Sequence, residues 1–585
     1  MTLFPITFSN FFPAFLSALF TAGSLYAMGR LMLGALGANR FGHHVALAIG
    51  FGINHLVFLS ASLVMDGPAA VLFMNLLHAA FLGFYLMSRG RNALPTFRLE
   101  PLGIVLMLVV LLPYVFRLFS PPMNVDGLMF YLPNVEWVYH RGLAFNPHLT
   151  AYTTMPMAAE YLFAQAYGLA GIPAVVFTDA LFCVLCISLV FRNARVLMPR
   201  MWASACLFAI LLYPHSITYL FGSGKVDMVL VYLLFAAGSM LSHPLEPRRV
   251  TAVLALFFIA CSVKYPVWLQ LLVPSVAGLV YLLYRRQWRL SMLVCVLAIS
   301  FLGPVMIKNA FQVGNPLAPI VYSPGQTRYL ASSHTPDTWD RVWSPVSKGV
   351  EQGKSLVVAL ANFLEYSFSF ILYAVFGVLM SISLILGIDV KKVEPLILFL
   401  LLILIPWHLY FLDDPQPPRF LLFPLMLLMT VNVYLASGIT ARMSSKREPF
   451  LGLSLAAVLL LGTLVNSYAS HGRYLDSYRR VGDDSLRAWY ESEGKHHYAA
   501  SRRMFDEGWI DRKVMYLTPL AIGTIPFSRM GRLHTDADIM LNRTRFNERV
   551  GDFDYIFCAL PDRKEWQLRD KEVVFQNAFY CLVKP

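Results

Sequence analysis

Lys391-Lys-Val-Glu-Pro395-Leu-Ile-Leu-Phe-Leu400-Leu-Leu-Ile-Leu-Ile405-Pro-Trp-His-Leu-Tyr410-Phe-Leu412 decides the fold class. After Glu394 no acidic, Lys or Arg side chain appears until Asp413-Asp414. A helix needs about 20 mostly apolar residues to cross the hydrocarbon core of a bilayer. This run has that length, with a basic pair at one end and an acidic pair at the other. Similar runs recur near 9–30, 44–65, 69–88, 101–119, 174–192, 201–221 and 228–242. They continue near 250–263, 267–284, 290–307, 366–388, 419–438 and 449–468. The expected fold is therefore a polytopic α-helical membrane protein with about fourteen transmembrane helices.

Composition agrees. Of 585 residues, 57% are hydrophobic and 14% charged, where a soluble domain carries about 25% charged residues. Mean hydropathy is +0.59. These values exclude a string of soluble domains, a disordered chain and a fibrous one. The net charge of +13 comes from basic residues scattered along membrane edges, so no nucleic-acid partner is expected. Those residues report orientation instead. Arg30 and Arg40, Arg89 and Arg91, Arg192 and Arg195, Arg248 and Arg249, Arg285 and Arg286, Lys391 and Lys392, and Arg442 and Lys446 fall in alternate short loops. Those loops read as cytoplasmic, which puts both termini on the other side. The Met-Thr-Leu-Phe-Pro start has no basic n-region, so no cleavable signal is expected.

Three parts follow from this layout. Residues 1–100 hold three helices and 101–468 a transmembrane core with external loops at 119–173 and 308–360. Residues 469–585 form a soluble extracytoplasmic domain. In it a helical region at 484–507 precedes apolar β-type runs at Val514–Leu517, Tyr555–Leu560 and Phe579–Val583, an order that reads as a small α/β domain.

The first external loop reads Ser120-Pro-Pro-Met-Asn-Val-Asp126-Gly-Leu-Met-Phe-Tyr131-Leu-Pro133, then Glu136, Trp137, Tyr139, His140 and Gly142. Asp126 stands just past the fourth span. Residues 128–139 are amphipathic and aromatic, suited to the membrane interface. Asp126 reads either as the N-cap of that stretch or as a carboxylate at the water–lipid boundary able to take a proton from a polar substrate.

The pattern Asp126-x-x-x-x-Tyr131-Leu-Pro133, followed by Gly142, Pro156 and Glu160, resembles the first periplasmic loop of the GT-C glycosyltransferases. The likeness is to bacterial members of the protein-mannosyltransferase and aminoarabinose-transferase type. It implies a many-helix core and a polyprenyl-phosphate sugar donor. It also implies action on the extracytoplasmic face of a bacterial inner membrane, with Asp126 as catalytic base. Many members carry an acidic pair where Asp126 stands alone, and here the loop follows the fourth span, with three extra spans at the N-terminus, rather than the first.

Other candidates lie at external span edges, where ionisable side chains are costly and often functional. Lys264, in Val263-Lys-Tyr265-Pro266, resembles a Lys-Tyr element of the same family, and alternatively snorkels to the interface. Arg419, in Arg419-Phe-Leu-Leu-Phe-Pro424, resembles an arginine element that lies near the donor phosphate in the family. Arginine suits bidentate phosphate binding, and a plain edge anchor paired with Asp413 or Asp414 is the alternative. Lys225 and Asp227, in Gly224-Lys-Val-Asp227, resemble another family element, and alternatively pair with each other. With Tyr131, Glu160 and Tyr265 they are the expected substrate contacts, while Lys264 and Arg419 hold the phosphate. Lys308-Asn309 and Gly314-Asn315-Pro316 read as opening the next external loop, where Asn-Pro is a turn signal.

No cofactor is expected. The His43-His44 pair and His148 lack a third partner at ligand spacing, so no metal site is assigned. Cys183 and Cys186 read as packing inside a span. Cys558 and Cys581 lie where a disulfide is permitted, and the sequence leaves that bond open. The expected function is inverting transfer of a sugar from the lipid-phosphate donor to a glycan, lipid or protein acceptor. The alternative is a transporter or flippase of lipid-linked glycans, which predicts charges in mid-span facing a cavity.

Overall fold

The computed structural model describes residues 8–38, 41–89, 114, 118, 131–143, 155–213, 220–241, 245–264, 266–313, 316, 356–410, 421–480, 500, 503–504, 507–509, 512, 514–516, 550–560, 568–576 and 580–585. The expected span at 101–119 lies outside these apart from Tyr114 and Leu118, both buried.

Three helices open the chain: α1 (Phe8–Ala35), α2 (His43–Ser62) and α3 (Gly67–Arg89). Glycine lets α1 and α2 touch backbone to backbone. A Cβ on Gly29 would overlap the Ala46 carbonyl, and one on Gly50 would overlap the Leu25 carbonyl. Small residues at such crossings let membrane helices approach closely and gain dispersion contact. At the start of α3, Gly67 lies against the backbone of Tyr139 and Gly142. It thereby receives α4 (Leu132–Arg141), a short amphipathic helix.

The next helix corrects an expectation. Residues 158–173 read as loop, yet α5 spans Ala158–Leu197 with non-helical backbone at Ala170 and Gly171. Ala158–Leu169 is rich in Ala, with Leu, Glu and Gln, all good at forming helix. Its polar Glu160 and Gln165 are both buried. Gly171 adopts φ 69°, open to glycine without strain, and Pro173 follows. The chain bends there and resumes as helix.

Helices α6 (Arg200–Leu212), α7 (Asp227–Leu241), α8 (Pro247–Cys261), α9 (Pro266–Tyr284) and α10 (Trp288–Val313) follow. The run at 201–221 was expected as one span. Its helix ends at Leu212, one residue before Tyr213-Pro214, because the residue before proline is pushed out of the helical region. Lys308 and Asn309, expected to open the external loop, lie inside α10, which runs on to Val313. After them come α11 (Leu356–Ile385), α12 (Glu394–Tyr410), α13 (Leu422–Met443) and α14 (Glu448–Arg480). Among the described residues, eight helices are long and apolar enough to cross a membrane by length and composition. Four shorter apolar helices accompany them. The protein is an integral membrane protein, and its described residues do not reach the expected fourteen spans.

Helices α5, α6, α7, α8 and α13 form the centre, with side chains such as Phe182, Phe208, Tyr232, Phe257 and Met426 fully buried. Apolar side chains of α9, α10 and α14 point outward, among them Leu272, Val280, Ile299 and Val458. That is the pattern expected of surfaces facing lipid tails.

The C-terminal residues hold a four-stranded sheet of order β1-β2-β4-β3. Its strands are β1 (Val514–Tyr516), β2 (Tyr555–Ala559), β3 (Val573–Gln576) and β4 (Tyr580–Val583). β1 runs parallel to β2, and the other pairs are antiparallel. Cys558 faces Cys581 across β2 and β4, and the two form a disulfide. β3 escaped the sequence reading because it has only four residues and follows the charged Lys571-Glu572. The helical region expected at 484–507 lies outside the described residues except at 500, 503, 504 and 507.

Candidate functional site

Several helix ends converge to build the site. Asp227 is the first residue of α7, and Lys264 lies in the turn between α8 and α9. Lys264 Nζ donates to Asp227 Oδ1 at 2.8 Å. The expected alternative partner of Asp227 was Lys225, two residues away. The pairing runs to the other turn instead, because α7 and α8 pack side by side and bring their outer ends together. Lys264 Nζ also stands 5.8 Å from the centroid of the Tyr131 ring, a cation–π contact that ties the start of α4 to the same point.

Beside this pair lies a small, narrow cleft. Asp227, Leu230, Val231 and Leu234 line it from α7. Their i, i+3, i+4, i+7 spacing is one helix face. Pro266, Val267 and Gln270 close it from α9, and Leu422 and Phe423 from the first turn of α13. The cleft thus has an ion pair on one side and, apart from Gln270, apolar walls elsewhere.

The loop that delivers Asp227 is held from inside the bundle. Gly222 and Gly224 take φ 62° and 70°, values that only glycine adopts readily. Asp179, fully buried in α5, accepts the Gly224 N–H at 3.0 Å and the Ser223 hydroxyl at 3.4 Å. Lys225 follows with a buried side chain, its N–H donating to Ser223 Oγ at 3.2 Å. Sequence reasoning missed Asp179. The available signal was a carboxylate inside the apolar run at 174–192, where an ionisable group marks function or a specific partner.

Glu160 enters from the first turn of α5 and is 3% exposed. The Ala158 N–H donates to the Ser262 carbonyl at 3.0 Å, which clamps this turn to the end of α8 two residues before Lys264. The charges acting on Glu160 are those of Lys308, Lys264 and Asp227. Lys308 reaches in from α10, with Nζ donating to the Met155 carbonyl at 3.0 Å.

On α4, Glu136 is buried and accepts a long hydrogen bond from Tyr167, at 3.4 Å. Burial raises its pKa from the ordinary 4.5 to about 8, against the smaller opposing effect of the Tyr167 hydroxyl. Neither Glu136 nor its partner was singled out from sequence.

The structure therefore brings together Lys264, Asp227, Tyr131 and Glu160, with Lys225 in the adjoining loop. Asp126, Tyr265 and Arg419 lie outside the described residues, as do Asp413, Asp414 and His148. His43 and His44 are engaged locally: His43 Nδ1 meets the Tyr26 hydroxyl at 2.8 Å, and His44 Nδ1 meets that of Tyr232 at 3.2 Å.

Two solved structures are similar to this chain. One is the crystal structure of ArnT from Cupriavidus metallidurans in the apo state, with 15% identity over 82% of this chain and 97% of that one, and a TM-score of 0.46. The other is ArnT from the same organism bound to undecaprenyl phosphate, with 15% identity over 82% of this chain and 96% of that one, and a TM-score of 0.45. No protein-family profile and no curated protein matches the chain. At this distance the likeness assigns no role to any residue, and the chemistry rests on the site's own geometry.

A cation beside a partly buried carboxylate, over an apolar cleft, suits an amphiphile with an anionic head. The ammonium meets the anion, and the apolar walls receive its hydrocarbon. The Lys264–Asp227 pair also keeps the cation compensated when no anion is bound, since breaking a buried pair is costly.

Proposed function

We propose that this protein is a membrane glycosyltransferase that takes a sugar from a polyprenyl-phosphate carrier and passes it to a glycan, lipid or protein acceptor. One observation carries this reading: the apolar cleft between α7, α9 and α13 with the Lys264–Asp227 pair at its polar side. Lys264 and Arg419 would neutralise the phosphate, and the apolar side chains beside Lys264 would face the first isoprene unit. Tyr131, Glu160, Lys225, Asp227 and Tyr265 would contact the substrate around them.

In the proposed step an acceptor hydroxyl attacks the anomeric carbon from the side opposite the phosphate. The new C–O bond forms as the bond to the phosphate oxygen breaks, and the electron pair leaves with the phosphate. The hydroxyl proton passes to Asp126, the general base. Configuration at the anomeric carbon inverts. The reaction would take place on the extracytoplasmic face of a bacterial inner membrane, where Asp126 opens the first external loop.

The alternative, a transporter of lipid-linked glycans, predicts mid-span charges lining a cavity. The mid-span carboxylate Asp179 is instead engaged with the Gly222–Lys225 loop, so it lends that reading no support.

The test is glycan mass spectrometry on a deletion strain complemented with wild type or with Asp126→Asn at equal protein level. Wild type is expected to restore a missing sugar, whose mass names its class. The variant is expected to lose about a hundredfold or more of transfer, the usual contribution of a general base. Full restoration by both would remove Asp126 from the chemistry and favour transport.

A further inference from the structure

His55 lies in α2, within the N-terminal segment that precedes the first external loop. Its side chain is 1% exposed. The imidazole is sandwiched between two rings. Tyr161 of α5 stacks on it with centroids 5.6 Å apart and planes 10° apart, and Phe301 of α10 with 6.1 Å and 14°. Gly52, one turn earlier, permits this approach, since a Cβ there would come within 2.6 Å of Ile259 and 3.1 Å of Phe301.

Both faces of the imidazole are thus taken by aromatic carbon, and its nitrogens lie in the ring plane between them. Neither Nδ1 nor Nε2 has a hydrogen-bond partner. The same holds for Oε2 of Glu160, the residue before Tyr161. Lys308 stands two turns beyond Phe301 on α10, and its charge acts on both His55 and Glu160. Three polar side chains from three helices therefore gather where each enclosed, unmatched polar atom costs about 1–3 kcal/mol. Stacking alone does not require a histidine here. Phenylalanine would fill the same sandwich without two unmatched nitrogens.

We propose that His55, together with Glu160 and Lys308, is a positioning residue for the hydroxyl-bearing sugar end of the donor lipid. This inference rests on the glycosyl-transfer reading and deepens it. The donor set decides the ligand class. A phosphate needs donors only, and the Glu160 carboxylate would repel it. A neutral imidazole offers one donor and one acceptor, a carboxylate accepts and an ammonium donates. That mixture matches hydroxyl groups, each of which donates and accepts. The N-terminal helices then complete the substrate site.

The experiment uses the full-length protein in nanodiscs and two probes, a polyprenyl monophosphate carrying a hexose and the same lipid without sugar. Wild type is expected to bind the sugar-bearing lipid more tightly. His55→Phe keeps the stacking and removes both nitrogens. It should weaken binding of the sugar-bearing lipid about fivefold to tenfold, the value of one net hydrogen bond, and leave the bare lipid unchanged. His55→Gln, which keeps a donor and an acceptor without the ring, should restore part of the difference. Glu160→Gln gives a second reading, with a loss also confined to the sugar-bearing lipid, should His55→Phe fail to fold. Unchanged binding of both lipids by His55→Phe, or an equal loss for both, overturns the proposal and leaves the glycosyl-transfer reading standing. Wild type that binds neither lipid overturns that reading, and this proposal with it.

Discussion

Lys264 and Asp227 meet at 2.8 Å although 37 residues separate them in the chain. Asp227 opens α7 and Lys264 follows the end of α8, and neither is fully enclosed, with 14% and 19% of the side chains exposed. The pair is therefore worth more than a surface ion pair and less than a deeply buried one. Removing Lys264 alone, as Lys264→Met, leaves a half-buried carboxylate without its cation. The expected cost is about 1–3 kcal/mol. The double variant with Asp227→Asn should recover part of that loss, while binding of the bare polyprenyl monophosphate should not recover. Thermal unfolding in detergent with a double-mutant cycle separates the two effects. Additive losses would show that the pair does not act as a unit.

Glu136 makes α4 sensitive to pH. Its carboxyl holds its proton to about pH 8 in the folded protein, whereas an unfolded chain releases it near the ordinary value. Between those limits the folded state binds more protons, so stability falls as pH rises and levels off above pH 8. The slope is at most about 1.4 kcal/mol per pH unit. Glu136→Gln should flatten this dependence and leave stability at acid pH nearly unchanged. Melting curves between about pH 5 and pH 9 check it, and identical curves for both proteins would exclude Glu136 as the cause.

Asp179 should matter to the site without touching substrate. Asp179→Ala leaves the Gly224 N–H without its acceptor and frees the loop that positions Lys225 and Asp227. A loss of about 1–3 kcal/mol is expected, with weaker lipid binding. Asp179→Asn retains an acceptor oxygen and should be milder on both counts. Equal effects of the two substitutions would place the importance of Asp179 in its charge instead.

The Cys558–Cys581 disulfide closes a loop of 23 residues. Constraining a loop of that size stabilises a fold by about 3–4 kcal/mol. Cys558→Ser with Cys581→Ser should raise protease sensitivity of the C-terminal residues and leave the helical bundle's melting unchanged. The non-reducing mobility of wild type, compared with the double variant, reports whether the bond forms in the cell.

Several features of the site were legible in the chain because they are local. Lys264 stood out as a charge between two apolar runs, and Asp227 as an acid at a span edge. Their pairing was not legible. Proximity in sequence favoured Lys225 for Asp227, while helix packing chose Lys264. Glu160 was flagged but placed in a loop, because its charge and that of nearby polar groups hid a helix that neighbours bury. Asp179 and His55 were passed over inside runs read only for their hydropathy. Short β3 was lost for the opposite reason, since four residues between charges carry too little pattern.

By itself, the sequence determined that this is a helical membrane protein, roughly where its helices run and which edges carry charge. Run length and hydropathy are properties of contiguous residues, and lipid demands that each spanning segment satisfy its own backbone. Only the tertiary structure decided which charges meet, which carboxylates are enclosed and that α2 brings His55 between Tyr161 and Phe301. Those relations depend on how closely helices approach, as where Gly29 and Gly50 let α1 and α2 touch. Interhelical distance is set by side chains far apart in the chain, and no periodicity along one helix records it.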